Sequence, residues 1–347
     1  MTEAPVVVAG ADAAAVRLAR RLARAGAPVL MYAPGDAGPF AVRAPDLAVT
    51  EDDRALARAA LILDTMGDLP AVPAPCLLAS YDPDPSHVTG FQVTWPWPDA
   101  ELVEILPATG ADPATLAAAR ALADRLGLPS VTGRPGARAL GPRMFARLCA
   151  VADAVFFDGS TPWEVDEALE AAGFPMGPYE AEDLLGLDIT RRRPPDPPGR
   201  AVPIAGRMGE LGKLGRKTGA GWYRYPGGGG KVEDPIVADL ALEEAYFAGT
   251  PRTDYAAPEI TRRLILALVN EAARLADAGT EPADIDRIAC LGLGFPGDGP
   301  LAWAQTEGVG GIVAQLDALA PEDPVAFTPA TCLRRAAAGG APLRQIG

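Results

Sequence analysis

Gly173-Phe174-Pro175-Met176-Gly177-Pro178 and Gly294-Phe295-Pro296, the latter followed by Gly299-Pro300, are two versions of one elbow set about 120 residues apart. Each follows a turn and an acid-bearing segment. Asp158-Gly159-Ser160-Thr161-Pro162 and Asp166 precede the first, and Ala278-Gly279-Thr280-Glu281-Pro282 and Asp286 precede the second. Working outward, one segment opens at Arg143 and the other at Arg263, at the same offset. Self-similarity at a fixed spacing marks a duplicated structural unit, and the apolar residues of both segments recur at helical period. The chain beyond residue 134 therefore reads as two all-α tandem domains, 135–230 and 231–347. Pro-rich 191–203 and Gly-rich 227–230 lie between the copies.

Upstream the pattern changes. Residues 5–9 form a short apolar run, 12–25 a helix with Val16, Leu18 and Leu22 inward, Gly26 its stop, and 28–32 a second apolar run, which is a βαβ unit. Further strands are expected at 61–64 and 76–80, and half-buried ones at 90–95 and 101–106. A helix follows over 113–126, with Asp112 as N-cap and Pro113 in its first position. Residues 1–134 thus read as an α/β, Rossmann-like, doubly wound sheet domain.

Composition narrows the function. Asp and Glu number 45 against 31 Lys and Arg, a net charge of -14, so a nucleic-acid backbone would be repelled. There is no apolar run of spanning length and no signal-like amino terminus, so the expectation is a cytoplasmic protein without membrane attachment. Cys76, Cys149, Cys290 and Cys332 are scattered without metal-ligand spacing, so no metal is expected. The chain has one histidine, His87, and one asparagine, Asn270. Imidazole chemistry is therefore limited to His87, which falls in a loop.

The run Gly215-Arg216-Lys217-Thr218-Gly219-Ala220-Gly221-Trp222-Tyr223-Arg224-Tyr225, with the first elbow and Leu185-Gly186-Leu187-Asp188, resembles the C-terminal domain of the 3-hydroxyacyl-CoA dehydrogenases. The second copy, with Gly299-Pro300-Leu301-Ala302-Trp303-Ala304 and Leu333-Arg334-Arg335, resembles the additional domain of that family's longer members. The resemblance implies an NAD-dependent oxidoreductase of fatty acyl-CoA metabolism, with NAD on the sheet domain. Single-copy members dimerise through the helical domain, so a tandem copy implies a monomer or weak dimer. An acyl-CoA ligand, or another acyl-CoA enzyme as partner, follows from the same likeness.

The family's site residues map onto this chain unevenly. Its catalytic histidine lies in Gly-x-His-x-x-x-Pro; the matching run, Gly90-Phe91-Gln92-Val93-Thr94-Trp95-Pro96, carries Gln92 there. Its orienting glutamate, twelve residues on, is Glu104, and its serine is Ser80. A glutamine amide can hold an oxygen but cannot take a proton near neutral pH. Glu104 is then either a remnant of the catalytic pair or a buried carboxylate satisfied by Gln92. The family's asparagine position falls on Pro142 or Leu140, neither of which bears an amide side chain.

For the cofactor, Gly10-Ala11-Asp12-Ala13-Ala14-Ala15 stands in place of Gly-x-Gly-x-x-Gly/Ala. Gly10 and Ala15 suit the first and third positions. Asp12 puts a carboxylate where a pyrophosphate would lie, and serves more naturally as the helix N-cap. The acid expected at the ribose is replaced by Tyr32. The segment between Tyr32 and Leu61 is too short for the family's substrate-covering helical hairpin. Locally basic 191–217 would suit either CoA phosphates or a solvated Pro-rich loop. These substitutions point to a family member impaired or silent as a dehydrogenase. The alternatives are an active dehydrogenase with an atypical site and a different chemistry, for which no triad or phosphate loop is evident.

Overall fold

The computed structural model describes residues 4–11, 13–35, 45–66, 69, 75–79, 81, 83, 89–93, 102–192 and 195–343, apart from the side chains of residues 13, 14, 92 and 93. Two compact units are present, one reaching to Ala139 and one running on from Leu140.

The first unit contains β1 (Val6–Ala9), α1 (Ala13–Arg24), β2 (Val29–Tyr32), β3 (Val49–Thr50), α2 (Arg54–Ala57), β4 (Leu61–Asp64), β5 (Cys76–Leu78), β6 (Gly90–Val93), β7 (Val103–Leu106), α3 (Pro113–Arg125) and β8 (Ser130–Thr132). The strands form one sheet in the order β3-β2-β1-β4-β5-β6-β7-β8. Pairing is parallel up to β6, antiparallel between β6 and β7, and parallel again between β7 and β8. The winding reverses between β1 and β4, whose carboxyl ends are the usual ligand-binding edge of a doubly wound sheet.

Physical reasons for these elements are local. Val6–Ala9 and Leu61–Asp64 are buried at every position, as central parallel strands covered on both faces are. On α1, Ala15, Leu18, Ala19 and Leu22 are buried at helical spacing. Asp112 caps α3, accepting from the Ala114 N–H at 3.1 Å, with Pro113 in the first turn. Two strands, β3 and β8, were not expected from the sequence, because two or three residues are too few to display a period. The expected half-buried strand at 101–106 is instead buried throughout Val103–Leu106, since β7 has neighbours on both sides.

The second unit contains α4 (Leu140–Asp158), α5 (Pro162–Ala171), α6 (Pro178–Leu185), α7 (Leu187–Thr190), α8 (Ile204–Glu210), β9 (Tyr223–Arg224), β10 (Val232–Glu233), α9 (Pro235–Ala248), α10 (Ala257–Asp277), α11 (Pro282–Leu293), α12 (Pro300–Glu307), α13 (Val309–Leu319), α14 (Pro324–Phe327) and α15 (Thr331–Ala337). Helices α4 and α10, which open the two repeats, pack on each other. The second helix of each repeat packs on the first helix of the other: α5 on α10, and α11 on α4. That reciprocity is the signature of a two-fold interface, here contained in a single chain.

Each elbow is pinned in the same way. Asp166 accepts from the backbone N–H groups of Tyr179 and Glu180 at 3.0 Å, and Asp286 from those of Leu301 and Ala302 at 2.8 and 3.3 Å. A Cβ at Gly177 would fall 2.1 Å from Asp166 Oδ1, and one at Gly299 2.5 Å from Asp286 Cβ, which is why glycine recurs in both elbows. In the first repeat Asp183 additionally accepts from the N–H groups of Trp222 and Tyr223 and from the Tyr225 hydroxyl. This holds the 215–225 run against α6.

The basic stretch 191–217 is mostly exposed or half-buried where it is described, and several of its cations are paired. Arg191 pairs with Asp153 and Glu182, each at 2.6 Å, Arg200 with Asp158 at 2.7 Å, and Arg207 with Glu244 at 2.6 Å. Lys213 pairs with Asp234 and Lys217 with Asp188. Each of these five cations thus has a carboxylate partner within the chain. Among the described residues no helix is long and apolar enough to cross a membrane.

Candidate nucleotide and substrate site

At the carboxyl end of β1 the chain turns at Gly10 with φ 136°, a conformation that favours glycine. The Gly10 N–H donates to the Tyr32 carbonyl at 2.9 Å, tying the turn to the end of β2. On the other side the Thr65 N–H and hydroxyl both donate to the Ala9 carbonyl, at 2.9 and 2.8 Å. A Cβ on Gly10 would lie 2.0 Å from Thr65 Oγ1 and 3.4 Å from the Cβ of Ala15. A side chain at residue 10 would thus collide with Thr65 and touch Ala15. Asp12 lies outside the described residues.

Tyr32 closes β2 with its ring buried in a cluster of Val7, Ala9, Leu56 and Ile62. Its hydroxyl donates to Asp53 Oδ1 at 2.5 Å, and this bond pushes the tyrosine pKa up to about 12. A carboxylate therefore does stand beside the end of β2, contributed by residue 53 and not by the strand itself. Sequence reading missed Asp53, and no spacing rule would have found it. Its only signal is an acid after the short strand β3, which runs parallel to β2 with Thr50 opposite Tyr32.

Of the parts a dinucleotide needs, the described residues show a carboxylate at the tip of β2, of the kind that takes ribose hydroxyls, and a glycine turn between β1 and α1, of the kind that lies against phosphates.

The sheet brings the other two predicted positions together. In the antiparallel β6–β7 pair, Gln92 and Glu104 are directly opposed, so positions 92 and 104 share one face. Glu104 is 2% exposed. The register thus sets a glutamine directly across from a buried glutamate. Ser80 and His87 lie outside the described residues.

Leu140 and Pro142, the two placements of the asparagine position, both fall in the first turn of α4. Asn270 is not a displaced substitute. It is fully buried, donating to the carbonyls of Ala326 and Thr328 and accepting from the Ala330 N–H, and so fixes the 326–330 segment. Arg143 is engaged with Glu271 at 2.6 Å. Burial pushes the thiol of Cys76 up to about 12 and that of Cys332 to about 11, and raises Cys149 as well. None of the three is a thiolate near neutral pH.

Comparison with known proteins accords with this architecture. The 3-hydroxyacyl-CoA dehydrogenase C-terminal domain model matches twice, at residues 140–225 and 260–345. The peroxisomal bifunctional enzyme of Danio rerio is 31% identical over 291 residues, covering 76% of this chain and 40% of that protein. The fatty acid oxidation complex subunit alpha of Shewanella amazonensis is 29% identical, covering 74% of this chain and 37% of that protein. The chain thus spans about two fifths of the length of these relatives. Two solved structures share the fold: 3-hydroxybutyryl-CoA dehydrogenase of Escherichia coli, with TM-score 0.67 and 19% identity over 97% of this chain and 99% of that one, and the dehydrogenase part of multifunctional enzyme 1 of C. elegans, with TM-score 0.65 and 19% identity over 95% and 89%. Sheet, duplicated helical repeat and sequence matches together place the chain in the 3-hydroxyacyl-CoA dehydrogenase family.

Proposed function

We propose that this chain is a divergent 3-hydroxyacyl-CoA dehydrogenase whose oxidoreductase activity is strongly impaired or silent, retained as a nucleotide- or acyl-CoA-binding member of fatty acyl-CoA metabolism. The observation that carries this reading is the pair of positions 92 and 104. Glu104 is kept, buried and in register, while the residue facing it is glutamine.

An amide at position 92 can donate to or accept from a substrate oxygen, but it has no proton affinity with which to deprotonate a hydroxyl. Loss of a positioned base typically costs about 10²–10⁴-fold in rate. Neither Leu140 nor Pro142 bears an amide side chain. When bound, an NAD nicotinamide supplies the hydride acceptor; what this chain contributes to holding it is the Gly10 turn and the carboxylate near Tyr32. A silent subunit is expected to associate with an active acyl-CoA enzyme. The names of the bifunctional and complex-forming relatives support that expectation.

The deciding experiment is calorimetric titration of the purified chain with NADH and with acetoacetyl-CoA, alongside a steady-state assay with 3-hydroxybutyryl-CoA. Binding of either ligand with negligible turnover is the expected result. Robust turnover, abolished by Glu104→Ala or His87→Ala, would establish the alternative of an active dehydrogenase with an atypical site. Binding of neither ligand would remove the nucleotide and acyl-CoA reading altogether.

A further inference from the structure

We propose that the helical unit carries a ligand site of its own, a groove between α5, α10 and α12 that takes a fatty carboxylate, with the aliphatic chain in the groove and the head group on Arg262. The proposal does not depend on the nucleotide reading of the sheet unit, which contributes no residue to this groove.

The groove has a volume of about 630 Å³, within the range of about 300–1,000 Å³ usual for small-molecule sites. Ala168 and Ala171 of α5, Pro258 and Ile265 of α10 and Trp303 of α12 are among its lining residues, so most of what a ligand meets there is aliphatic or aromatic. A stable protein partner needs a face of about 800 Å². A slot bounded by three helices suits a single narrow chain instead.

Charge decides the head group. Arg262 is half-buried in the lining; its Nε–H donates to Gln315 of α13, and its guanidinium lies over the Trp303 ring, 5.4 Å from the centroid. Among the described residues no carboxylate pairs with it, whereas Arg263, next in the chain, pairs with both Glu259 and Glu322. With Nε engaged, both terminal nitrogens remain, and their paired N–H groups match the two oxygens of a carboxylate. The first turn of α10 also lines the groove, and Ala256 gives that turn no side-chain cap, so the positive end of a 21-residue helix adds to the attraction. Glu164 and Glu167 are in the lining as well. Glu164 accepts from the Thr161 N–H and hydroxyl, and Glu167 from Trp163 Nε1. Their charge disfavours a dianion, which selects a carboxylate over a phosphate monoester.

The repeat shows that the fold itself does not demand this arginine and tryptophan. Counted from the paired Arg143 and Arg263, the first copy has Pro142 where the second has Arg262; counted from Pro178 and Pro300, it has Ala181 where the second has Trp303. The first copy forms its helices and its elbow without either side chain.

Calorimetric titration of the full chain with sodium dodecanoate below its micelle concentration tests the proposal, with acetate, dodecyl phosphate and dodecyltrimethylammonium as comparisons. Dodecanoate is expected to bind at one site per chain, acetate not measurably, and the other two more weakly than dodecanoate. Arg262→Met, which keeps the length and removes the charge, should weaken dodecanoate about tenfold. Ala171→Trp, at an exposed position of the α5 wall, should abolish binding by filling the groove. Thermal unfolding identifies any variant that fails to fold, and the other then carries the test. No dodecanoate binding by the unaltered chain, or affinity unchanged in a folded variant, overturns the site. Binding of dodecyl phosphate or dodecyltrimethylammonium as tightly as dodecanoate overturns the assignment of the head group.

Discussion

Phe174 and Phe295, one from each elbow, pack edge to face with ring centroids 5.5 Å apart. Equivalent residues of two repeats touch each other only where they lie close to the axis relating the repeats, so this contact locates the pseudo-two-fold of the helical unit. Gly173 and Pro296 meet beside it. Replacing either phenylalanine by alanine should cost about 3–5 kcal/mol, as for other large-to-small core changes. The double variant should show coupling of about 0.5–1.5 kcal/mol, the usual range for an aromatic pair. Urea denaturation of the four forms measures it, and strict additivity would mean that the two rings act independently.

The same internal two-fold bears on assembly. Because α5 packs on α10 and α11 on α4 within one chain, the surface that a single repeat would offer to a second molecule is already occupied. The purified protein is expected to sediment as a monomer, or as a weak, concentration-dependent dimer. A tight dimer built through α4 and α5 would refute this.

Gly10 offers a backbone test. At φ 136°, and with Thr65 Oγ1 2.0 Å from the place of a Cβ, Gly10→Ala should destabilise the sheet unit by at least about 1–3 kcal/mol of conformational strain. Adding Thr65→Ala should recover part of the loss, because the clash is relieved while the dihedral strain remains. Thermal unfolding of the single and double variants separates the two contributions.

Burial pushes the carboxyls of Asp166 and Asp183 up to about 7, despite the N–H and hydroxyl donors that each accepts. A carboxyl whose folded pKa lies above its unfolded value binds more protons when folded, so its contribution to stability is full below about pH 4. That contribution is lost as pH rises through about 7. The urea midpoint of the helical unit should therefore fall between pH 5 and pH 8. Carboxyl ¹³C titration should place these two aspartates well above the ordinary range; midpoints near 4 would contradict the prediction.

Restoring chemistry should require more than one change. Gln92→His places an imidazole opposite Glu104, but residue 12 still carries a carboxylate in place of the fingerprint glycine and residues 140 and 142 still lack an amide. Gln92→His alone should give little 3-hydroxybutyryl-CoA oxidation. Combined with Asp12→Gly it should do measurably better than either single variant, since a base acts only on a substrate held against a bound hydride acceptor. Steady-state rates of the four forms decide the point; equal rates for the double variant and Gln92→His would show that the turn does not limit binding.

Much of the architecture was legible in residue order. The βαβ opening, the cap at Asp112 and the repeated elbow are local patterns, and local patterns survive in sequence because neighbouring residues dictate them. The short strands β3 and β8 were not legible, since they are strands by virtue of their partners and not of their own few residues. The same holds for the burial of β7, which depends on having β6 and β8 on either side.

For the site, the sequence by itself determined which chemical groups are available: glutamine and no histidine at position 92, no amide at 140 or 142, an aspartate at 12, and one asparagine in the whole chain. No fold can add a missing functional group. The tertiary structure alone decided which distant groups meet. It brought Asp53 to Tyr32 across 21 residues, gave Asn270 to the 326–330 backbone, and consumed Arg191 in an ion pair with Asp153 and Glu182. Such contacts arise from how sheets and helices close over long loops, and a hydrogen bond depends on a separation of about 3 Å in space, to which separation along the chain is no guide.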